Sequence, residues 1–186
     1  MYIDCYNCIY GYKPIIPISE DFIQPLSPLP RDICFQPSTA FSSTNPIFVP
    51  GNSCFNISAF LVGDTRTSAT CKTIASDGFV YAAFYDGKLK GFVSVESEIF
   101  GGKQGYCDLS SIHISEDMRR KGIGRTLFLA AKEWAKQKGA KKLYISAHSA
   151  VESQAFYKSM GCVEAEVYNK KHVEDEPYDC QLECDL

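Results

Sequence analysis

No apolar run of this chain reaches membrane-spanning length, and the N-terminus lacks the basic-then-apolar order of a signal peptide. The expectation is a cytoplasmic protein with no membrane partner. Neither sign of charge dominates: 19 basic and 22 acidic residues leave a formal net charge of −3, which argues against a dedicated nucleic-acid binder. There is no Gly-x4-Gly-Lys-Ser/Thr, so no Walker loop, and no Gly-x-Gly-x-x-Gly, because Leu127 stands where the third glycine would be. Cysteine is plentiful but unpatterned. The nine cysteines are odd in number and irregularly spaced, which excludes a simple disulfide framework. Cys5-x-x-Cys8 is half of a zinc motif without a second Cys-x-x-Cys or a His pair to complete it. Cys180-x3-Cys184 is the only conceivable partner, so free thiols and no metal are expected.

Proline is nearly missing from the later part of the chain. Eight of the nine prolines fall between Pro14 and Pro50, leaving only Pro177 beyond. Proline at that density prevents long helices and interrupts sheet ladders. The same stretch is rich in Ile, Phe, Leu and Tyr, so it is not composed like a disordered tail. Residues 1–56 therefore read as a Pro-rich apolar segment of uncertain structure that packs on its own core or on a second subunit. Residues 57–186 read as one α/β domain, since 186 residues are enough to bury a real core.

From Phe79 onward the pattern is clear. Phe79–Tyr85 and Lys88–Val95 are strand-like runs joined by Asp86-Gly87, the dipeptide of a type I′ hairpin turn. Gly101-Gly102 marks the next turn, and Tyr106–Ile114 reads as a third strand. Ile123, Leu127, Ala130, Ala131 and Trp134 share one face of a helix that Gly139 stops, with Lys132, Glu133, Lys136 and Lys138 largely on the other. Lys142–Ala147 is a further strand, Val151–Met160 a helix, and strands near Val163–Val167 and Gln181–Cys184 complete a mixed sheet.

The most informative stretch is Arg119-Arg120-Lys121-Gly122-Ile123-Gly124, set where the long helix begins. Backbone N–H groups at a helix start lack intrahelical partners, and the helix dipole adds partial positive charge. Glycine lets an anion approach without a β-carbon in the way, so the segment reads as a diphosphate cradle.

Arg-x-x-Gly-x-Gly between a strand and a helix, followed by a strand, a second helix and Tyr157-x-x-x-Gly161, resembles motifs A and B of the GNAT N-acetyltransferases. The match runs from about Gly78 to the C-terminus. It implies a GNAT fold: a mixed, mostly antiparallel sheet splayed around an acetyl-CoA site and flanked by helices. It also implies acetyl-CoA as cosubstrate, an amine acceptor on a small molecule or peptide, and direct attack in a ternary complex. Proximity then supplies much of the rate enhancement.

On that resemblance the Ile112-His113-Ile114 main chain bonds the pantetheine arm and polarises the thioester, chiefly through Ile112 and Ile114. Arg119, Arg120, Lys121, Gly122, Ile123 and Gly124 wrap the pyrophosphate, and Arg125 reaches a phosphate. Ser153 and Gln154 touch the cofactor, and Tyr157 protonates the thiolate. Ala150 stands where many members carry an asparagine, so that cofactor contact is either absent or supplied by Ser149. The general base is open among Asp108, placed by its count from Arg119, the histidines His113 and His148, and a water relay from Glu96 or Glu98. Two other readings stand beside the enzyme: a non-catalytic acyl-CoA-binding or sensing module, and an interaction protein that assembles through its N-terminal arm. A homodimer is a family-level expectation. The strand and two helices that usually open this fold and shape the acceptor site are not legible in residues 1–56.

Overall fold

The structure, a computed structural model, describes residues 47–50 and 65–186. In chain order these form β1 (Ile47–Pro50), α1 (Thr65–Ala75), β2 (Phe79–Tyr85), β3 (Lys88–Val95), β4 (Ile99–Phe100), β5 (Tyr106–Asp108) and β6 (Ser111–Ile114). There follow α2 (Ile123–Gln137), β7 (Lys142–Ala147), α3 (Val151–Ser159), β8 (Val163–Glu164), α4 (Lys170–Asp175) and β9 (Cys180–Asp185). Two sheets result: a four-stranded one ordered β1-β2-β3-β6 and a five-stranded one ordered β4-β5-β7-β9-β8. Every strand pair is antiparallel except β5 with β7.

The β2–β3 hairpin turns through Asp86 and Gly87, whose φ values of 50° and 66° are the two positive angles that a type I′ turn requires. Ala83 pairs with Gly91 and Phe84 with Leu89, so Lys90 is the extra residue of a bulge. Its freed carbonyl accepts from the backbone N–H and the hydroxyl of Ser115, both at 2.8 Å. The bulge thereby fastens the end of β6 in place.

The single strand expected over Tyr106–Ile114 is two strands in different sheets. β5 runs parallel to β7, then the chain breaks step at Leu109-Ser110 and β6 pairs with β3 instead. The reason is the divergence of the partners: β3 and β7 belong to separate sheets, and this segment crosses from one to the other. Ser94 and Ser110 hydroxyls, 2.9 Å apart, satisfy each other at the crossing.

α2 lies over both sheets. Ile123, Leu127, Ala131 and Ala135 recur at four-residue spacing and are buried with Phe128, Val93, Cys107, Leu109, Leu143 and Ile145 in the main core. Leu127 is fully buried, and truncating such a side chain to alanine costs about 2–5 kcal/mol. Trp134 packs at the edge of this core, its ring 5.4 Å from that of Phe79. Tyr106, Tyr144 and Ala165 form a separate cluster with Phe100. Strand alternation thus sends Cys107 and Leu109 toward α2, and Tyr106 toward the other face. Gly139, at φ 87°, closes α2 as expected.

Candidate active site

Where β5 gives way to β6, the two sheets part. Leu109 N–H still donates to the Tyr144 carbonyl at 2.9 Å, but among the described residues β6 pairs only with β3 and ends its sheet. A slot therefore opens between β6 and β7, and along it one edge of β6 carries no partner strand among the described residues. Such an edge offers backbone N–H and C=O groups to an extended ligand.

The loop after β6 leads to the start of α2 at the end of this slot. Buried Met118 anchors it, Lys90 pairs with Asp117 at 2.5 Å, and Arg120 and Gly122 take positive φ values of 61° and 80°. Gly122 is the N-cap of α2 and no side chain caps it, so the first N–H groups of the helix are left to an external acceptor. A β-carbon on Gly122 would meet nothing within 4 Å, which marks open space above the cap. A β-carbon on Gly124 would sit 3.2 Å from both Ile114 Cδ1 and Phe156 Cε2. There glycine lets α2 approach β6 and α3 closely. Arg119, Arg120 and Arg125 are exposed, and among the described residues none has an ion-pair partner. Lys121 Nζ contacts Met118 Sδ at 3.4 Å. Ile112, His113 and Ile114 form β6 itself.

Tyr157 lies on α3 and is buried in the main core, its ring 5.2 Å from Phe156 and 6.3 Å from Phe128. Burial pushes its phenol well above the ordinary value, and nearby Cys162 and Asp179 push the same way. Ser153 is half-buried on the same helix. Gln154 Nε2 donates to the His148 carbonyl at 2.8 Å and so ties α3 to the end of β7.

The base candidates separate. His148 Nδ1 accepts from Ala150 N–H at 3.0 Å and is used to start α3. His113 is exposed on β6 with its ring 5.3 Å from Phe92. Thr73 donates to Glu96 at 2.6 Å, and Glu98 is exposed. Asp108, the last residue of β5, lies 2.7 Å through Oδ2 from His172 Nε2. The bond to Asp108 raises the His172 imidazole pKa against the opposing effect of burial.

His172 has no place in the sequence reading. It sits in α4, a short polar helix whose only local signal is the cap, Asn169 Oδ1 accepting from Lys171 N–H at 3.0 Å. Below it lies a polar layer. Tyr144 donates to Gln181 and receives Asn169 N–H at 2.9 Å, while Tyr106 donates to Glu183 at 2.5 Å. Glu183 also takes Lys142 at 2.6 Å and Glu166 N–H at 3.0 Å.

Comparisons with known proteins identify the class. The model of the Acetyltransferase (GNAT) family matches residues 53–162. The chain belongs to the GNAT acetyltransferase family. Similar solved structures include an IAA acetyltransferase from Bacillus cereus ATCC 14579, 22% identical with TM-score 0.54, covering 76% of this chain and 100% of that one. Another is a GNAT family acetyltransferase from Elizabethkingia anophelis with acetyl-CoA bound, 19% identical with TM-score 0.55, covering 77% of this chain and 100% of that one. A third is the PaiA N-acetyltransferase from Thermoplasma acidophilum in complex with coenzyme A, 15% identical with TM-score 0.54, covering 75% of this chain and 99% of that one. At these identities the likeness establishes the fold. A comparison with curated proteins found no match. Among the described residues no helix is long and apolar enough to cross a membrane. Cys5, Cys8 and the rest of the Pro-rich segment, apart from residues 47–50, lie outside the described residues.

Proposed function

We propose that this protein transfers an acetyl group from acetyl-CoA to a primary amine of a small molecule or peptide, by direct attack in a ternary complex. The observation that carries the reading is the slot between β6 and β7 with the uncapped start of α2 at its end. The local geometry supports cofactor binding there. Open space over Gly122 and the unpartnered N–H groups suit a diphosphate, and the free edge of β6 suits an extended amide-bearing arm. Arg119, Arg120, Lys121 and Arg125 add positive charge around that cap.

When bound, acetyl-CoA supplies an activated thioester. The residues of the chain do the rest. The Arg119–Gly124 backbone and the β6 edge fix the position of the reacting centre, which is where most of the rate gain arises. Tyr157 Oη, its pKa raised by burial, keeps its proton across the working range and serves as donor to the departing sulfur. The test is release of free thiol from acetyl-CoA by the full chain in the presence of primary amines. Amine-dependent release supports transfer. Acetyl-CoA binding without any release, with every amine class tried, favours a binding module instead.

A further inference from the structure

We infer that Asp108 and His172 are the proton-accepting pair for the acceptor amine, His172 as the base and Asp108 as the group that holds it. This rests on the acetyltransferase reading and adds a residue that the loop and helix motifs do not contain.

Four observations point the same way. Asp108 ends β5 at the point where the slot opens, one residue before the last bond to β7. Its side chain lies on the face of Tyr106 and Tyr144, opposite the face on which α2 and Tyr157 pack. The amine and the cofactor thus have separate approaches to one opening. Next, Asp108 Oδ1 is buried and, among the described residues, has no hydrogen-bond partner. With no other donor to Oδ1 among the described residues, the carboxylate is committed to His172, which it orients through Oδ2.

The position of His172 is also built rather than incidental. Tyr144 Oη holds Asn169 N–H at 2.9 Å, Asn169 caps α4, and the His172 ring stacks on Tyr144 at 5.9 Å. Finally, Nε2 is committed to Asp108 at 2.7 Å, and among the described residues Nδ1 has no partner. In the neutral ring Nε2–H donates to Oδ2, which leaves the lone pair on Nδ1. The charged and titratable groups around the ring are Asp108 from β5, Tyr144 from β7, Lys171 on α4 itself and Glu176 just beyond it.

An amine N–H proton passes to His172 Nδ1 as nitrogen forms its bond to the thioester carbonyl carbon. The C–S bond breaks with its electron pair on sulfur, sulfur takes the Tyr157 phenol proton, and the phenolate regains one from solvent. The products are the amide and the free thiol, and the imidazolium returns its proton to solvent.

The experiment compares the full chain with Asp108→Asn and His172→Gly. Acetyl-CoA binding is measured by titration calorimetry. Thiol release is then followed from pH 5.5 to 9 with a polyamine, an aminoglycoside and a peptide with a free N-terminus, with and without added imidazole. The expected result is unchanged acetyl-CoA binding in both variants. Wild-type release should rise as His172 loses its proton, fall about 10²-fold in His172→Gly and be partly restored by imidazole. Asp108→Asn should move the pH limb downward. Wild-type rates and pH profile in both variants, or a loss that imidazole does not restore with the limb unmoved, would overturn the pair's role. So would a wild-type protein that binds acetyl-CoA but releases no thiol. Failure of the wild-type protein to bind acetyl-CoA is a separate outcome and overturns the acetyltransferase reading beneath the proposal.

Discussion

Leu109 N–H donates to the carbonyl of Tyr144 at 2.9 Å, and beyond that bond the two segments go to different sheets. Upstream, β5 and β7 are ordinary parallel neighbours; downstream, β6 turns to β3. The proposed site is arranged around that one parting, with the glycine loop at its end, Tyr157 on one face and Asp108–His172 on the other.

The two loop glycines should respond differently to alanine. Gly122 has a positive φ of 80° but open space, so Gly122→Ala meets backbone strain alone, about 1–2 kcal/mol. Gly124 has no such φ, but its β-carbon would lie 3.2 Å from Ile114 and Phe156, forcing both to shift at a cost of about 1 kcal/mol. Each should lower the melting temperature by roughly 2–6 °C. Glutamate at either position should weaken acetyl-CoA far more, because its charge meets the diphosphate. Thermal melts beside binding titrations separate the two effects.

Tyr157→Phe should retain the fold and acetyl-CoA affinity, since the ring's contacts with Phe156 and Phe128 persist. Turnover should fall by about 10²-fold if the phenol supplies the proton. Because burial raises its pKa, the wild-type rate should show no loss from tyrosine ionisation up to about pH 10, the unperturbed value. Steady-state kinetics against pH would show either.

The Asp108–His172 bond also makes a stability prediction. The folded imidazole pKa lies above its unfolded value of about 6.5, so the folded state binds the proton more tightly. The resulting stabilisation is fully present below the unfolded pKa and is lost as pH rises through the folded one. Wild type should therefore exceed Asp108→Asn in melting temperature most at pH 5.5 to 6, and the gap should narrow toward pH 8. Denaturant melts across that range test the sign.

Glu183 is buried with Tyr106 Oη and Glu166 N–H donating to it. Burial opposes its charge, yet the bonds from Lys142, Tyr106 and Glu166 hold its carboxyl below the usual range. Glu183→Ala strands the buried Tyr106 hydroxyl, at a cost of about 1–3 kcal/mol. In wild type this contribution is present above the unfolded glutamate pKa of about 4.3 and is lost as pH falls through the lower folded value. The stability gap between the two proteins should therefore narrow below that point.

Much of the frame was legible because it rests on local signals. Asp86-Gly87 specifies its hairpin, and the Ile123, Leu127, Ala131 stripe specifies α2. What escaped depends on distant partners. The break at Leu109-Ser110 is invisible along the chain because both halves are strand-prone, and only their divergent partners separate them. α1 escaped because its buried positions include Thr70 and Thr73, which carry no apolar stripe. α4 is too short and polar to announce itself, so His172 stayed hidden although Asp108 was in view. The Pro-rich segment remains an expectation apart from β1, whose Ile47–Pro50 pairs with β2.

The most direct test of the account is calorimetric titration of the full chain with acetyl-CoA and free CoA, beside Gly122→Glu and Gly124→Glu variants shown to be folded by circular dichroism. Wild type should bind saturably at micromolar affinity, and both variants should lose that binding. No binding by the folded wild-type chain, or equal binding by the glutamate variants, would contradict the assignment of the Arg119–Gly124 loop as the cofactor cradle.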